Sequence, residues 1–172
     1  IFGKGVVENK LKSVMAQFGK RVLITYGGGS IKRSGLYDQV LQILEDKEIY
    51  ELPGIEPNPK FNPSVLDGVR ICKEKDIDVI LAVGGGSVLD CTKAIAGAAC
   101  SDADPWDIVT GKAPTLKAIP IVDIITLAAT GSEYDSGGVI SRTETNDKLA
   151  YFSPLVFPAV SFIDPSYTFT LP

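Results

Sequence analysis

Histidine is absent from all 172 residues. It is the commonest metal ligand and the usual proton shuttle near neutral pH, so chemistry that needs either must come from elsewhere. Cysteine is scarce. Cys72, Cys91 and Cys100 are an odd number without metal-ligand spacing, and two of them stand in apolar, helix-like stretches where a free thiol behaves as a small hydrophobe. That usage points to a reducing cytoplasm. Runs of roughly 18 or more apolar residues are missing, and the opening Ile1-Phe2-Gly3-Lys4-Gly5 carries no signal-peptide core or cleavage site, so a soluble protein with no membrane partner is expected. Basic clusters are missing too: nothing exceeds the pair Lys32-Arg33, net charge is -4 and the pI is near 4.9. No electrostatic footprint for nucleic acid or an anionic membrane remains.

What is present suits one α/β domain spanning residues 1–172, since 45% hydrophobic and 22% charged residues are ordinary for a buried core of this size. Val7, Leu11, Val14 and Phe18 recur at helical spacing, Gly19 can close that helix, and Arg21 to Tyr26 (RVLITY) reads as a buried strand. The tetrapeptide Gly27-Gly28-Gly29-Ser30 follows, then a helical pattern from Leu36 through Val40, Leu41 and Leu44, and then an irregular Pro53–Pro59 connection. The plan repeats: Ser64 can cap a helix carrying Val65, Val69 and Cys72, the strand DVILAV ends at Val83, and Gly84-Gly85-Gly86-Ser87 opens a helix to about Ala99. Ile119 to Ile125, Val139 to Ser141, Leu149 to Phe152 and Ala159 to Ile163 read as further strands, with a small-residue loop from Thr126 to Glu133. Alternating strands and helices imply a mainly parallel sheet flanked by helices, a Rossmann-like α/β fold. Strand-like material at residue 1 and a connection starting at Thr170-Leu171-Pro172 suggest an excised domain.

The strongest chemical signal is DVILAV-GGGS-VLDCTKAIA. A strand delivers three glycines whose backbone can approach a ligand closely, and the next helix offers free N–H groups and its positive dipole end to an anion, as in a pyrophosphate cradle. Ser87 followed three residues later by Asp90 is equally a capping-box start for any helix. The first glycine loop lies beyond a neighbouring strand, where open α/β sheets bind ligands, although alone it is also a flexible turn. Thr126 to Glu133 offers hydroxyls, or a tight turn bonded to itself. Glu133 with Asp135 could form an acid/base pair but reads more simply as a solvated loop. Lys148 is a phosphate contact or an edge-strand lysine, and Trp106 reads as a packing anchor. No lysine follows either triple glycine as a P-loop demands, which excludes that ATPase design.

Taken together, FGKG, GGGSIKRSG, PNP, AVGGGSVLDCTKAIA, LAATGSE and FIDPSYTFTLP, in this order over essentially the whole chain, resemble the iron-containing (group III) alcohol dehydrogenase family. The form GGGSIKRSG is similar to its butanol-dehydrogenase branch. The resemblance implies a Rossmann-like coenzyme domain whose parent enzyme adds a C-terminal helical domain with one Asp and three His around a divalent metal, Fe or Zn. That metal domain would be absent here, in keeping with the absence of histidine. It implies a parent that moves hydride between a nicotinamide dinucleotide and a small, butanol-like alcohol or aldehyde, as a homodimer. Carried over by motif, Gly84, Gly85, Gly86 and Ser87 with Asp90 would lie along the pyrophosphate and nicotinamide ribose, while Asn58, Thr126, Thr130, Lys148 and Tyr167 would line the remaining path. This sequence departs from the family's usual residues at Ile125, where Pro is common, and at Arg142-Thr143, where Asn-Pro is common.

No catalytic or metal-ligating residue is expected in the chain, and by itself it should be inactive. The alternatives are the coenzyme domain of a glycerol-dehydrogenase or dehydroquinate-synthase relative and a stand-alone nucleotide-binding module. NADP(H) is expected over NAD(H), because Gly27, Gly28, Gly29 and Ser30, with Lys32 and Arg33 behind, stand where NAD-selective sites commonly carry a carboxylate. The competing reading puts Lys32 and Arg33 on a solvated face, leaving a loop that accepts both coenzymes. Val at position 86 is expected to obstruct the phosphate while leaving the fold largely intact.

Overall fold

A computed structural model describes residues 1–169, so Thr170, Leu171 and Pro172, read above as the start of a connection, lie outside the described residues. Five strands form the main sheet: β1 (Arg21–Tyr26), β2 (Glu48–Leu52), β3 (Val79–Gly84), β4 (Ile121–Ile125) and β7 (Val160–Ile163), in the order β2-β1-β3-β4-β7. All four pairings are parallel, with Val22 beside Val79, Ile80 beside Ile121 and Val122 beside Val160. The central strands are apolar at nearly every position because helices cover both faces of the sheet. Leu23, Ile80, Ala82, Ile121 and Ile125 face one core; Val22, Ile24, Leu81, Val83, Val122, Ile124 and Phe162 face the other.

The second core is covered by α1 (Val6–Met15) and α3 (Leu36–Ile43), with the single turn α2 (Ser30–Arg33) between β1 and α3. On the first lie α4 (Leu66–Glu74) and α5 (Gly86–Ala98), followed by α6 (Pro105–Val109). Ten of the thirteen residues of α5 are buried, because the helix is sandwiched between the sheet and an antiparallel hairpin of β5 (Gly137–Arg142) and β6 (Asp147–Phe152). Each large apolar side chain buried there stabilises the packing by roughly 1.5 to 3 kcal/mol. Glycines let the hairpin lie this close: a Cβ on Gly138 would come within 2.9 Å of the Asp90 backbone, and one on Gly97 would run into Tyr151 of β6.

Two local expectations are corrected and one strand is added. The stretch EIYEL, between the helical pattern ending at Leu44 and the Pro53–Pro59 connection, had no assigned element and is the edge strand β2. Ser64 does not cap α4; it is buried inside a wide turn, Phe61–Val65, and the residue preceding the helix is Val65, with no side-chain cap. The first helix ends at Met15, and Phe18 is reached by turns bonded to Val14 and Met15. No helix among the described residues is long and apolar enough to cross a membrane.

Candidate coenzyme site

The chain passes from β1 outward to β2 and then returns to β3 on the other side of β1, so the strand order reverses between β1 and β3. Loops diverge at such a point and leave a crevice beyond the carboxyl ends of the strands. A cleft of about 300 Å³ opens there, lined by Ser30 after β1, Gly85 after β3, Thr126 and Leu127 after β4, and Tyr167 from the turn after β7. Four residues expected to bind a dinucleotide, far apart in sequence, thus share one cavity. A larger cleft of about 410 Å³, between the end of α6 and β6, contains none of them.

Gly85 immediately precedes α5 in extended backbone, φ −92° and ψ −171°, without a side-chain cap. The N–H groups of Gly86 and Ser87 have no hydrogen-bond acceptor among the described residues, whereas those of Val88 and Leu89 already bond the Gly85 carbonyl. The capping-box alternative fails: Ser87 sits inside the first turn, and the Asp90 carboxylate turns away to accept from Ser132 Oγ (2.8 Å) and Val139 N (2.9 Å). A Cβ on Gly85 would meet only Leu127 at 3.5 Å, whereas one on Gly86 would lie 2.4 Å from Thr130 Oγ1. The expectation that Val at 86 would spare the fold is therefore corrected, since its side chain must displace the Thr130 loop.

In the first glycine loop, Gly29 adopts φ 99° and precedes α2, while Gly28 is exposed with open space around it. Arg33 Nη1 is 3.6 Å from the position of a Gly29 Cβ, which brings one cation to the loop. Lys32 does otherwise: its ammonium stands 4.4 Å over the Tyr37 ring and 5.2 Å over that of Tyr26. The hydroxyls of those tyrosines donate to Glu51, Tyr26 at 2.5 Å and Tyr37 at 2.8 Å, and burial with the Glu51 bond pushes Tyr26 up to about 12.

Asn58 and Lys148 are brought together away from the cleft: Lys148 Nζ donates to Asn58 Oδ1 at 2.8 Å, where the Pro59 carbonyl accepts from Ser141 N of β5. Tyr167 is half-buried and pushed up to about 12, chiefly by burial. Glu133 and Asp135 do not form an acid/base pair, because Asp135 Oδ1 accepts from Lys93 and from Gly137 N. Trp106 is a packing anchor, edge-on to Phe61 with ring centroids 4.9 Å apart.

Two buried charged residues had drawn no functional reading from the sequence. Lys93 is fully buried on α5, and its Nζ reaches five oxygens of Ser132, Asp135 and Gly137. Asp123, also fully buried, accepts from Ser161 Oγ at 2.5 Å through one oxygen, and the other has no partner among the described residues. Burial pushes its carboxyl up to about 7, Glu133 adds to the shift, and the Ser161 bond opposes it. The available signal was a single charge inside an apolar run, KAIA and IVDII respectively, which a core tolerates only with a partner. Among the described residues no group of three or more His, Cys, Asp or Glu is placed to hold a metal ion.

The sequence profile of the iron-containing alcohol dehydrogenases matches residues 1–165. The chain is 56% identical to a probable NADH-dependent butanol dehydrogenase 1 of Bacillus subtilis, covering all of this chain and 44% of that protein. It is 46% identical to the NADPH-dependent aldehyde reductase YqhD of Escherichia coli, again over 100% of this chain and 44% of the relative. The crystal structure of NADH-dependent butanol dehydrogenase A from Thermotoga maritima superposes with a TM-score of 0.93 at 40% identity, over 100% of this chain and 44% of that one. The chain thus spans less than half the length of these relatives. On its sequence and its parallel α/β architecture, this chain belongs to the iron-containing alcohol dehydrogenase family.

Proposed function

We propose that the chain is the coenzyme-binding domain of an NAD(P)-dependent oxidoreductase acting on a small, butanol-like alcohol or its aldehyde, and that the cleft between β1, β3 and β4 receives the dinucleotide. The observation that carries this is the pair of N–H groups of Gly86 and Ser87, without an acceptor among the described residues, at the start of α5 beside a cleft at the strand-order reversal. Together with the helix dipole they suit a pyrophosphate, and Gly85 leaves its approach open. A nicotinamide coenzyme bound there supplies or accepts the hydride of the alcohol–aldehyde interconversion.

In this reading Gly84 to Ser87 form the pyrophosphate cradle, Gly27 to Ser30 take the adenosine end, and Thr126, Thr130 and Tyr167 wall the path between. Asn58 and Lys148 bind as a hydrogen-bonded pair further along it, and Asp90 orders the segment beside the nicotinamide ribose. The described residues offer no ligand set for the iron in the family's name, so the metal and most of the alcohol pocket are assigned to residues outside this chain. The 172 residues alone are then inactive. Three free cysteines suit a cytoplasmic setting. The homodimer expected of the parent rests on the family resemblance alone.

NADP(H) is the preferred coenzyme in this reading, because the Gly27–Ser30 loop meets a 2′-phosphate with a hydroxyl, backbone N–H groups and Arg33 rather than a carboxylate. Relatives named for NADH and for NADPH both occur, so the test must come from this loop itself. Gly28 has room for a side chain. Gly28→Asp should fold normally and lower NADP affinity about tenfold or more relative to NAD, measured by calorimetry, as one or two charge-assisted bonds are replaced by repulsion. A wild type that binds NAD at least as tightly as NADP would refute the preference.

A further inference from the structure

The Lys93 ammonium is shared among Ser132 O (2.7 Å), Ser132 Oγ (3.0 Å), Asp135 O (2.9 Å), Asp135 Oδ1 (2.6 Å) and Gly137 O (2.8 Å). All five oxygens belong to one stretch of six residues. An apolar side chain would fill a core position without the cost of desolvating a cation, so bulk alone does not account for a lysine here. The stretch it grips has little structure of its own: between β4 and β5 there is one short turn, Ser132–Tyr134, and no strand pairing. Lys93 does from within what a bound monovalent cation would do, gathering carbonyls that have no other common partner.

Gly86, Asp90 and Lys93 follow one another at spacings of four and three, along one face of α5. Gly86 abuts Thr130, Asp90 takes Ser132 Oγ and Val139 N, and Lys93 holds the Ser132–Gly137 stretch. One helix face therefore grips the whole segment from residue 130 to 139. The residues just before the gripped stretch are those against the cradle, since Leu127 is the nearest neighbour of a Gly85 Cβ and Thr126 and Leu127 line the cleft.

We propose that Lys93 is a positioning residue of the coenzyme site: held by the oxygens of Ser132, Asp135 and Gly137, it seats the Thr126–Gly131 loop on Gly85 and Gly86 and so shapes the pyrophosphate cradle. Lys93 is fully buried and does not touch the coenzyme. The proposal rests on the reading of the cleft as a dinucleotide site.

The test uses the protein at its natural length, with two variants. Lys93→Ala removes the cation and leaves a cavity lined by its acceptors, while Ser132→Ala is a milder cut that removes only the hydroxyl linking Lys93 to Asp90. Coenzyme affinity should fall about tenfold or more in the first and a few-fold in the second, as expected for losing a charged and a neutral hydrogen-bond partner. Ethylammonium, small enough for the cavity, should restore the affinity of Lys93→Ala, whereas bulky tetramethylammonium should not. Amide exchange within residues 126–136 should quicken in both variants without coenzyme. Wild-type affinity in either folded variant overturns the proposal, and if Lys93→Ala does not fold, Ser132→Ala decides alone. Should the wild type bind no nicotinamide coenzyme, the reading of the cleft fails. The exchange measurement still judges the positioning role, and unchanged exchange across residues 126–131 overturns it independently.

Discussion

The two glycine loops share the letters Gly-Gly-Gly-Ser and the same place after a buried parallel strand, yet their glycines serve different needs. In Gly27–Ser30 the need is conformational: Gly29 sits at φ 99°, a Cβ on Gly28 would meet nothing within 4 Å, and a four-residue helix comes next. In Gly84–Ser87 no glycine has positive φ, and the need is room, because a Cβ on Gly84 would meet Val88 at 2.6 Å and one on Gly86 would meet Thr130 at 2.4 Å. The second loop leads into a long buried helix pinned by charged side chains. Identical tetrapeptides thus take their function from the packing around them. The first loop is open to new side chains and suits discrimination between ligands. The second is closed at Gly84 and Gly86, which suits a fixed cradle.

The largest expected effect comes from the charge buried in β4, the strand beside the one that leads into the second loop. The Asp123 carboxyl is raised from 3.8 to about 7 by burial, so the folded protein holds this proton where the unfolded chain has released it. Stability must then fall as pH rises from about 4 to about 7 and stay lowered above that, because the native state binds more protons in this window. Asp123→Asn should leave stability nearly unchanged at pH 4 and raise it at pH 8 by on the order of 3 kcal/mol. Urea unfolding at the two pH values measures this, and an advantage independent of pH would show that Asp123 does not hold its proton in the folded protein.

Next in size is Gly86→Val, which should cost roughly 1 to 3 kcal/mol by overpacking against Thr130 and weaken coenzyme binding as the loop shifts. Wild-type unfolding would mean that the second loop is as open as the first. Within the first loop, Gly29→Ala should cost about 1 kcal/mol for a left-handed residue, while Gly28→Ala stays within about 0.5 kcal/mol of wild type. Thermal unfolding of the pair separates conformational need from empty space.

The strands RVLITY and DVILAV and the buried helix after the second loop were legible because continuous apolar runs announce burial on both sides. β2 was not, since EIYEL alternates charge with bulk and becomes a strand only by pairing with β1. The hairpin strands were legible singly, but not their separation from the main sheet, which depends on Gly138 lying against Asp90. Ser87 and Asp90 looked like a cap because their spacing is local, whereas the true partners of Asp90 are Ser132 and Val139 on a distant loop and strand. Lys93 and Asp123 went unread although each is a charge next to apolar residues, because their partners lie far along the chain and pairings of that kind come from tertiary packing.

If the start of α5 cradles a dinucleotide pyrophosphate, Gly85 is the position where a side chain blocks that ligand without disturbing the fold. This residue is extended, and a side chain there meets only Leu127 at ordinary contact distance, so Gly85→Val should fold and unfold like the wild type. Calorimetric titration of both proteins with NADP and NAD is the measurement. Clear binding by the wild type is expected, with a loss of about tenfold or more in the variant for both coenzymes, since the pyrophosphate they share loses its approach to the Gly86 and Ser87 N–H groups. Equal affinity in a natively folded Gly85→Val protein would contradict it.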